Sequence, residues 1–203
     1  MDFVIGDVRV QPLGRHVVRI EQRGRAGFED RETFTVLDRG FEGAEAVETR
    51  RDGWVCVATG KYRVVVPEGA GGLEGIRVES AAGELLCVMS NAMMAKKFLP
   101  SPSALPAVWV LGDSPRVVPP AWGALPPPEN EEGGTSGWDL ANDAPDAYVF
   151  FPAASGYEAF RADFLRLTGG IPLVPLYALG LWYSRYYAYS EESALAVMDR
   201  FRA

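Results

Sequence analysis

The strongest constraint on this chain is a period of two in its apolar residues, repeated from the N-terminus to about residue 98. In VVRIE, Val18 and Ile20 share one face while Arg19 and Glu21 take the other. In TFTV, Phe34 and Val36 alternate with Thr33 and Thr35. In WVCVA, Trp54, Cys56 and Ala58 alternate with Val55 and Val57, and KYRVVV repeats the pattern. Successive side chains of a strand point to opposite faces, so this alternation marks half-buried strands rather than helices. Turn residues punctuate the runs at Pro12-Leu13-Gly14, at Asp52-Gly53, and across Pro67-Glu68-Gly69-Ala70-Gly71-Gly72. Many short strands at regular spacing predict a mainly β chain, an antiparallel two-sheet β-sandwich.

Composition narrows the function classes. Hydrophobic residues make up 48% of the 203, enough for a sizeable core, and 22 glycines with 15 prolines favour short elements joined by turns. A net charge of −7 argues against a nucleic-acid partner, which requires a basic face. The two cysteines, Cys56 and Cys87, each lie in a strand-like apolar run and read as buried free thiols. His16 is the single histidine and reads as a strand residue at the surface or core edge. One histidine makes a His-based metal site or a Ser-His-Asp triad improbable within the chain. No metal or cofactor is expected. The N-terminus lacks a basic start followed by an apolar stretch, and no apolar run approaches the ~20 residues that span a bilayer. The expectation is a soluble, cytoplasmic protein with no membrane partner.

From 99 to 147 the character changes. Pro, Gly and acids dominate, with AVWVLG at 107–112 as a strand-like interruption and Trp109, Trp122 and Trp138 as anchors. This reads as long loops packed on the sandwich, 126–137 being the most mobile stretch. AYVFFP at 147–152 reads as a buried strand. A helix follows, with Ser155 and Glu158 as a capping box, Tyr157, Phe160, Phe164 and Leu167 on one face, and Gly169-Gly170 as its stop. A Pro-punctuated connection leads to a strand at roughly 178–185. Ser190 can cap a last helix whose apolar stripe is Leu195, Met198 and Phe201. A strand followed by an amphipathic helix is the opening of a βαβ unit.

Three stretches resemble glycoside hydrolase family 31, the α-glucosidase type. VRIEQRGRAGFEDRETFTVLDR at 18–39 is similar to the family's N-terminal segment, with its Phe-Glu-Asp-Arg run. GWDLANDAPDAYVFFP at 137–152 is similar to the loop that precedes the return to the sandwich. The third, 157–202, looks like the family's passage from sandwich to catalytic barrel: a Phe-rich helix, Leu-Thr-Gly, Pro-x-x-Pro, Leu-Gly, the first barrel strand, Arg-Tyr and the first barrel helix. The resemblance leaves out about 68–136.

The resemblance implies a galactose-mutarotase-like supersandwich over 1–152, a connecting helix and linker over 153–175, and the first strand and helix of a truncated (β/α)8 barrel over 176–203. It implies a retaining α-glycosidase acting on α-linked glucosides or oligosaccharides. Its two catalytic carboxylates lie on later barrel strands, so no catalytic residue is assigned here and the chain alone is expected to be inactive. Two residues are carried over as sugar contacts. Tyr186 follows the Arg of the first barrel strand, and Asp143 belongs to the acid-bearing loop WDLANDAPD, which also offers Asp139 and Asp146. Asn142 departs from the acidic pair that related sequences often carry there. Partners implied are the rest of the barrel and, with that barrel missing, a second copy associating through 176–203. The alternatives are a carbohydrate-binding module, with Trp54, Trp109, Trp122 and Trp138 as a stacking platform, and one subunit of a split enzyme.

Overall fold

The structure, a computed structural model, describes residues 1–25, 27–33, 35–90, 93, 98–113, 144–170, 173–180 and 188–202. It divides into two units, Met1–Gly170 and Ile171–Ala203.

The first unit contains two five-stranded sheets. Sheet I has the order β1-β2-β3-β10-β9, with β1 Phe3–Ile5, β2 Val8–Gly14, β3 Val17–Gln22, β10 Asp146–Phe150 and β9 Trp109–Gly112. Sheet II runs in sequence order, β4 Ala46–Arg51, β5 Trp54–Thr59, β6 Tyr62–Pro67, β7 Arg77–Ser80 and β8 Leu85–Val88. Every strand pair is antiparallel. One apolar cluster joins the sheets: Ile5, Val8, Val10, Val18, Ile20, Ala147 and Val149 from sheet I meet Val55, Val57, Val64, Val66 and Val78 from sheet II. Each comes from one parity of its strand, as the alternation requires. Tyr62 reaches across this core, stacked on Phe151 with centroids 4.7 Å apart, and its hydroxyl donates toward the carbonyls of Gly14 and Val17.

Two turns show how local chemistry sets connections. Asp52-Gly53 joins β4 to β5 with both residues at positive φ, 51° and 78°, the twist that matches a tight hairpin. Gly6, at φ 58°, lies where the β1–β2 turn presses on sheet II's long loop; a Cβ there would sit 2.5 Å from the carbonyl oxygen of Ala70. Only glycine fits that approach.

Sheet I also carries a second layer. Helix α2, Tyr157–Thr168, lays Phe160 and Leu167 on a further cluster of Leu13, Val17, Val36, Trp109, Tyr148 and Phe150. Phe160 and Phe164 meet the Trp109 ring edge-on at 5.6 and 5.8 Å. The helix therefore lies within the first unit.

Several local expectations change. Pro12-Leu13-Gly14 is not a turn: β2 runs through it with an irregular register between Gln11 and Gly14, and the turn falls at Arg15-His16. His16 is thus a turn residue. Thr33, Thr35 and Val36, the described residues of TFTV, form no strand; the Thr33 hydroxyl accepts from the backbone N–H of Val36, and Val36 plugs the second core. Ser155 does not cap α2. It ends a short helix α1, Pro152–Ser155, where its hydroxyl turns to the carbonyls of Pro152 and Gly156, and Gly156 at φ 82° stands at the N-cap. The helix does stop at Gly169, at φ 89°. Cys56 and Cys87 are free and half-buried rather than fully buried.

In the second unit, Leu176–Leu179 is a 3-10 turn, so the strand expected at roughly 178–185 does not begin there; 181–187 lie outside the described residues. Helix α3, Glu191–Arg202, begins as expected at Ser190, whose side-chain oxygen accepts from the Ser193 backbone N–H at 3.2 Å. Among the described residues no helix is long and apolar enough to cross a membrane.

Candidate functional site

The outer face of sheet I, turned away from the shared core, is laid out in rows by strand register. One row is Arg9, Glu21 and Asp146; the next is Gln11, Arg19, Tyr148 and Leu111; the third is Val17, Phe150 and Trp109. The face therefore grades from ionic to apolar along the strands. Helix α2 covers the apolar end. The loop after β3 covers the ionic end.

Arg19 and Glu21 are completely buried, Arg9 nearly so, and Asp146 is 7% exposed. Unpaired charges at such depth would be very costly, so the charges are there as a set. Arg19 donates to both carboxylate oxygens of Asp146 at 2.8–3.1 Å, to Gln11 Oε1 and Asp30 Oδ1 at 3.0 Å each, and to the Glu29 carbonyl at 2.5 Å. Arg9 forks onto Glu21 Oε2 at 2.5 and 2.9 Å and onto Asp30 at 2.6 and 2.9 Å. Glu21 Oε1 accepts the Glu29 backbone N–H at 2.6 Å. Farther along the loop, Arg39 donates to the Tyr148 hydroxyl oxygen at 2.6 Å and to Asp113 at 3.2 Å, while the Thr33 hydroxyl donates to the other Asp113 oxygen at 2.7 Å. Phe28 lies between two guanidinium groups, with Arg9 at 4.8 Å and Arg23 at 4.6 Å from its ring centre.

The electrostatics follow from this geometry. Hydrogen bonding from Arg9 holds Asp30 below the usual carboxylate range, and Arg31 does the same for Glu29. Glu21 is pushed up by burial, against the pull of Arg19. Burial also raises the Tyr148 phenol, so it stays protonated. The described cluster is a satisfied ion network whose forks point at one another. It fixes the Glu29–Arg39 loop and the start of β10; it does not present a poised acid and base to solvent.

Asp143 and Tyr186, the expected sugar contacts, lie outside the described residues, as do Asp139, Trp122, Trp138 and the 126–137 stretch. Of the acids in WDLANDAPD, Asp146 is placed, and its oxygens are committed to Arg19. Trp109 is buried among Phe150, Phe160 and Phe164. Trp54 carries the Arg77 guanidinium 4.4 Å over its ring. Trp109 therefore offers no stacking face for a sugar, and Arg77 takes one face of Trp54. A groove of about 510 Å³ opens between Arg15, Gly43, Ala44, Glu45, Thr59, Gly60 and Lys61. It brings two cations and a carboxylate together without an aromatic platform. Beside it, burial and the nearby Arg15 and Lys61 depress His16. Burial raises the Cys87 thiol to about 11, which removes it as a nucleophile near neutral pH. Among the described residues no group of three or more His, Cys, Asp or Glu side chains is placed to hold a metal ion.

The ion network was missed in the sequence because period two assigns a face without saying what covers it. A signal was nonetheless present. Charges of both signs on the central strand, with an Asp at a third strand's start and a Glu-Asp-Arg run between, can satisfy one another only if a loop folds back. The sequence matches no protein-family model and no curated protein.

Proposed function

We propose that this chain is the N-terminal portion of a retaining α-glycosidase of the family 31 type, whose sandwich helps shape a site for α-linked glucosides. One observation carries the reading. The first two stretches that resemble the family, far apart in sequence, meet on the outer face of sheet I, and the start of the third joins them there. The first supplies β3, Glu29, Asp30 and Arg39; the second supplies Asp146 and Tyr148, joined to it by strand pairing and the Arg19–Asp146 fork. The third begins with α2, whose Leu167 carbonyl accepts the backbone N–H of Leu37 at 2.9 Å. At that junction Gly169 passes so close to Leu37 that a Cβ would stand 2.7 Å from it.

In this reading the sandwich is of the galactose-mutarotase-like kind, and residues 176–203 are the first strand and helix of a (β/α)8 barrel. Retention requires one carboxylate to be ionised for attack on the anomeric carbon while another holds a proton for the leaving oxygen. The described carboxylates with the most deeply buried side chains, Glu21, Asp113 and Asp146, are each locked to an arginine and suit neither role. The chain's contribution is positional. The Arg19–Asp146 fork fixes the strand that follows the loop bearing Asp143, and Asp143 and Tyr186 contact the sugar.

Two measurements test this. The purified 203-residue chain should release no aryl alcohol from aryl α-glucosides; turnover that survives removal of host glucosidases would sink the reading. A polypeptide extended along the natural reading frame should turn the same substrate over with retention and accept a covalent label from a fluoroglycosyl fluoride. An extended protein that neither turns over nor labels would remove the glycosidase assignment.

A further inference from the structure

Helix α3 carries a seam that is its own complement. Glu191, Leu195, Met198 and Arg202 are spaced by four, three and four residues. That spacing puts all of them on one face of a helix, in the alternating pattern of a two-helix seam. It also reads the same in both directions. Reversed about the midpoint between Ala196 and Val197, Glu191 falls on Arg202 and Leu195 falls on Met198. A second copy of α3 laid antiparallel would therefore set acid against base at both ends and apolar against apolar in the middle.

Among the described residues this seam is exposed. No residue of α3 is buried, Leu195 and Met198 are 53% and 49% exposed, and Glu191 and Arg202 are exposed. Neither Glu191 nor Arg202 has a salt-bridge partner among the described residues. The end charges also agree with the helix itself, with Glu191 and Glu192 in the first turn and Arg200 and Arg202 in the last. Antiparallel packing opposes the two macrodipoles as well as the side-chain charges.

We infer that α3 is a self-association surface, pairing antiparallel and isologously with α3 of a second copy of this chain through Glu191–Arg202 and Leu195–Met198 contacts. A helix of this length spans only about 18 Å, so the interface is small and the pairing belongs to the weak, concentration-dependent class. This inference does not rest on the glycosidase reading, in which the same apolar face would pack on the barrel strands.

Charge-swapped variants of the full chain test it by sedimentation velocity over a concentration series. The unaltered chain should shift from monomer toward dimer as concentration rises. E191R turns both end contacts into basic pairs, and R202E turns both into acidic pairs, so each alone should weaken association on the order of tenfold. An equimolar mixture of E191R and R202E should recover association as a heterodimer, because each acid again faces a base. L195S/M198S should abolish association and should not be rescued by mixing with either. The inference is overturned if the chain stays monomeric throughout, if E191R and R202E associate as well as the unaltered chain, or if the mixture does no better than its components. Rescue on mixing also separates a defined antiparallel pair from general stickiness of exposed apolar residues, which no charge swap would restore.

Discussion

β3 and β6 are each the middle strand of a five-stranded antiparallel sheet, and each turns an arginine away from the shared core. The outcomes differ. Arg19 of β3 is completely buried, bonded to Asp146, Asp30, Gln11 and the Glu29 carbonyl. Arg63 of β6 stays half-exposed opposite Ala58 and Glu79. The strand patterns are alike; what differs is the third layer. Sheet I is covered on its outer side by α2 and the loop after β3, whereas in sheet II's outer row Val65 is buried but Thr49, Cys56 and Arg77 stay at least partly exposed among the described residues. A polar residue on a strand is cheap in water. It becomes a strict structural requirement once a loop closes over it.

The largest test of that contrast is the matched pair Arg19→Ala and Arg63→Ala. Removing Arg19 leaves the buried Asp146 without its guanidinium, while Glu21 keeps only Arg9, so a loss of about 3–5 kcal/mol is expected in denaturant unfolding. Arg63→Ala should stay within about 0.5 kcal/mol. Equal losses at both positions would break the distinction between the two outer faces.

The apolar end supplies a second pair. Phe160→Ala should cost about 3 kcal/mol, because the ring is enclosed by Trp109, Phe150 and Phe164. Leu85→Ala on β8, where the side chain is 53% exposed, should change stability little. If the two were equally mild, α2 would not be part of the sandwich's folding unit.

The smallest effect is the pH dependence of Asp30→Asn. Asp30 is held below its ordinary value, chiefly by the Arg9 hydrogen bond, so it adds stability above the unfolded-state carboxylate range and loses it as the pH falls through its lower folded value. Its side chain is 64% exposed, which limits that stabilisation to about 1 kcal/mol or less. The melting-temperature gap between the unaltered chain and D30N should therefore narrow from about pH 7 to about pH 3. Glu21, raised by burial, works in the opposite sense and is present in both proteins. A gap that widened on acidification would contradict the Arg9–Asp30 contact.

Much of the architecture was legible. The strands around Val18, Val55 and Val64 announced themselves by alternation, the Asp52-Gly53 hairpin by its turn residues, α2 by its Phe160–Leu167 face, and α3 by Ser190. The failures have local causes. TFTV alternates like a strand, but Thr33 bonds back to Val36 and leaves the segment as a clamp on the second core. Ser155 stands at the right spacing from Glu158, but Pro152 starts a helix early enough to absorb it. Pro12 reads as a breaker but is tolerated where β2 becomes irregular. The ion network was invisible because burial on a second face is not a property of one strand.

By itself, then, the sequence determined which residues share a face: Val18 with Ile20, Arg19 with Glu21, Leu195 with Met198. Those relations follow from repeats of two and of 3.6 residues and need only the local backbone. Tertiary structure alone decided what each face meets. It brought Asp146 to Arg19 across more than a hundred residues of chain, folded the Glu29–Arg39 loop over charges that would otherwise sit in water, and, among the described residues, laid no such cover on Arg63. The energy of a buried charge depends on its surroundings rather than on its neighbours in sequence, so no strand pattern could have told Arg19 from Arg63.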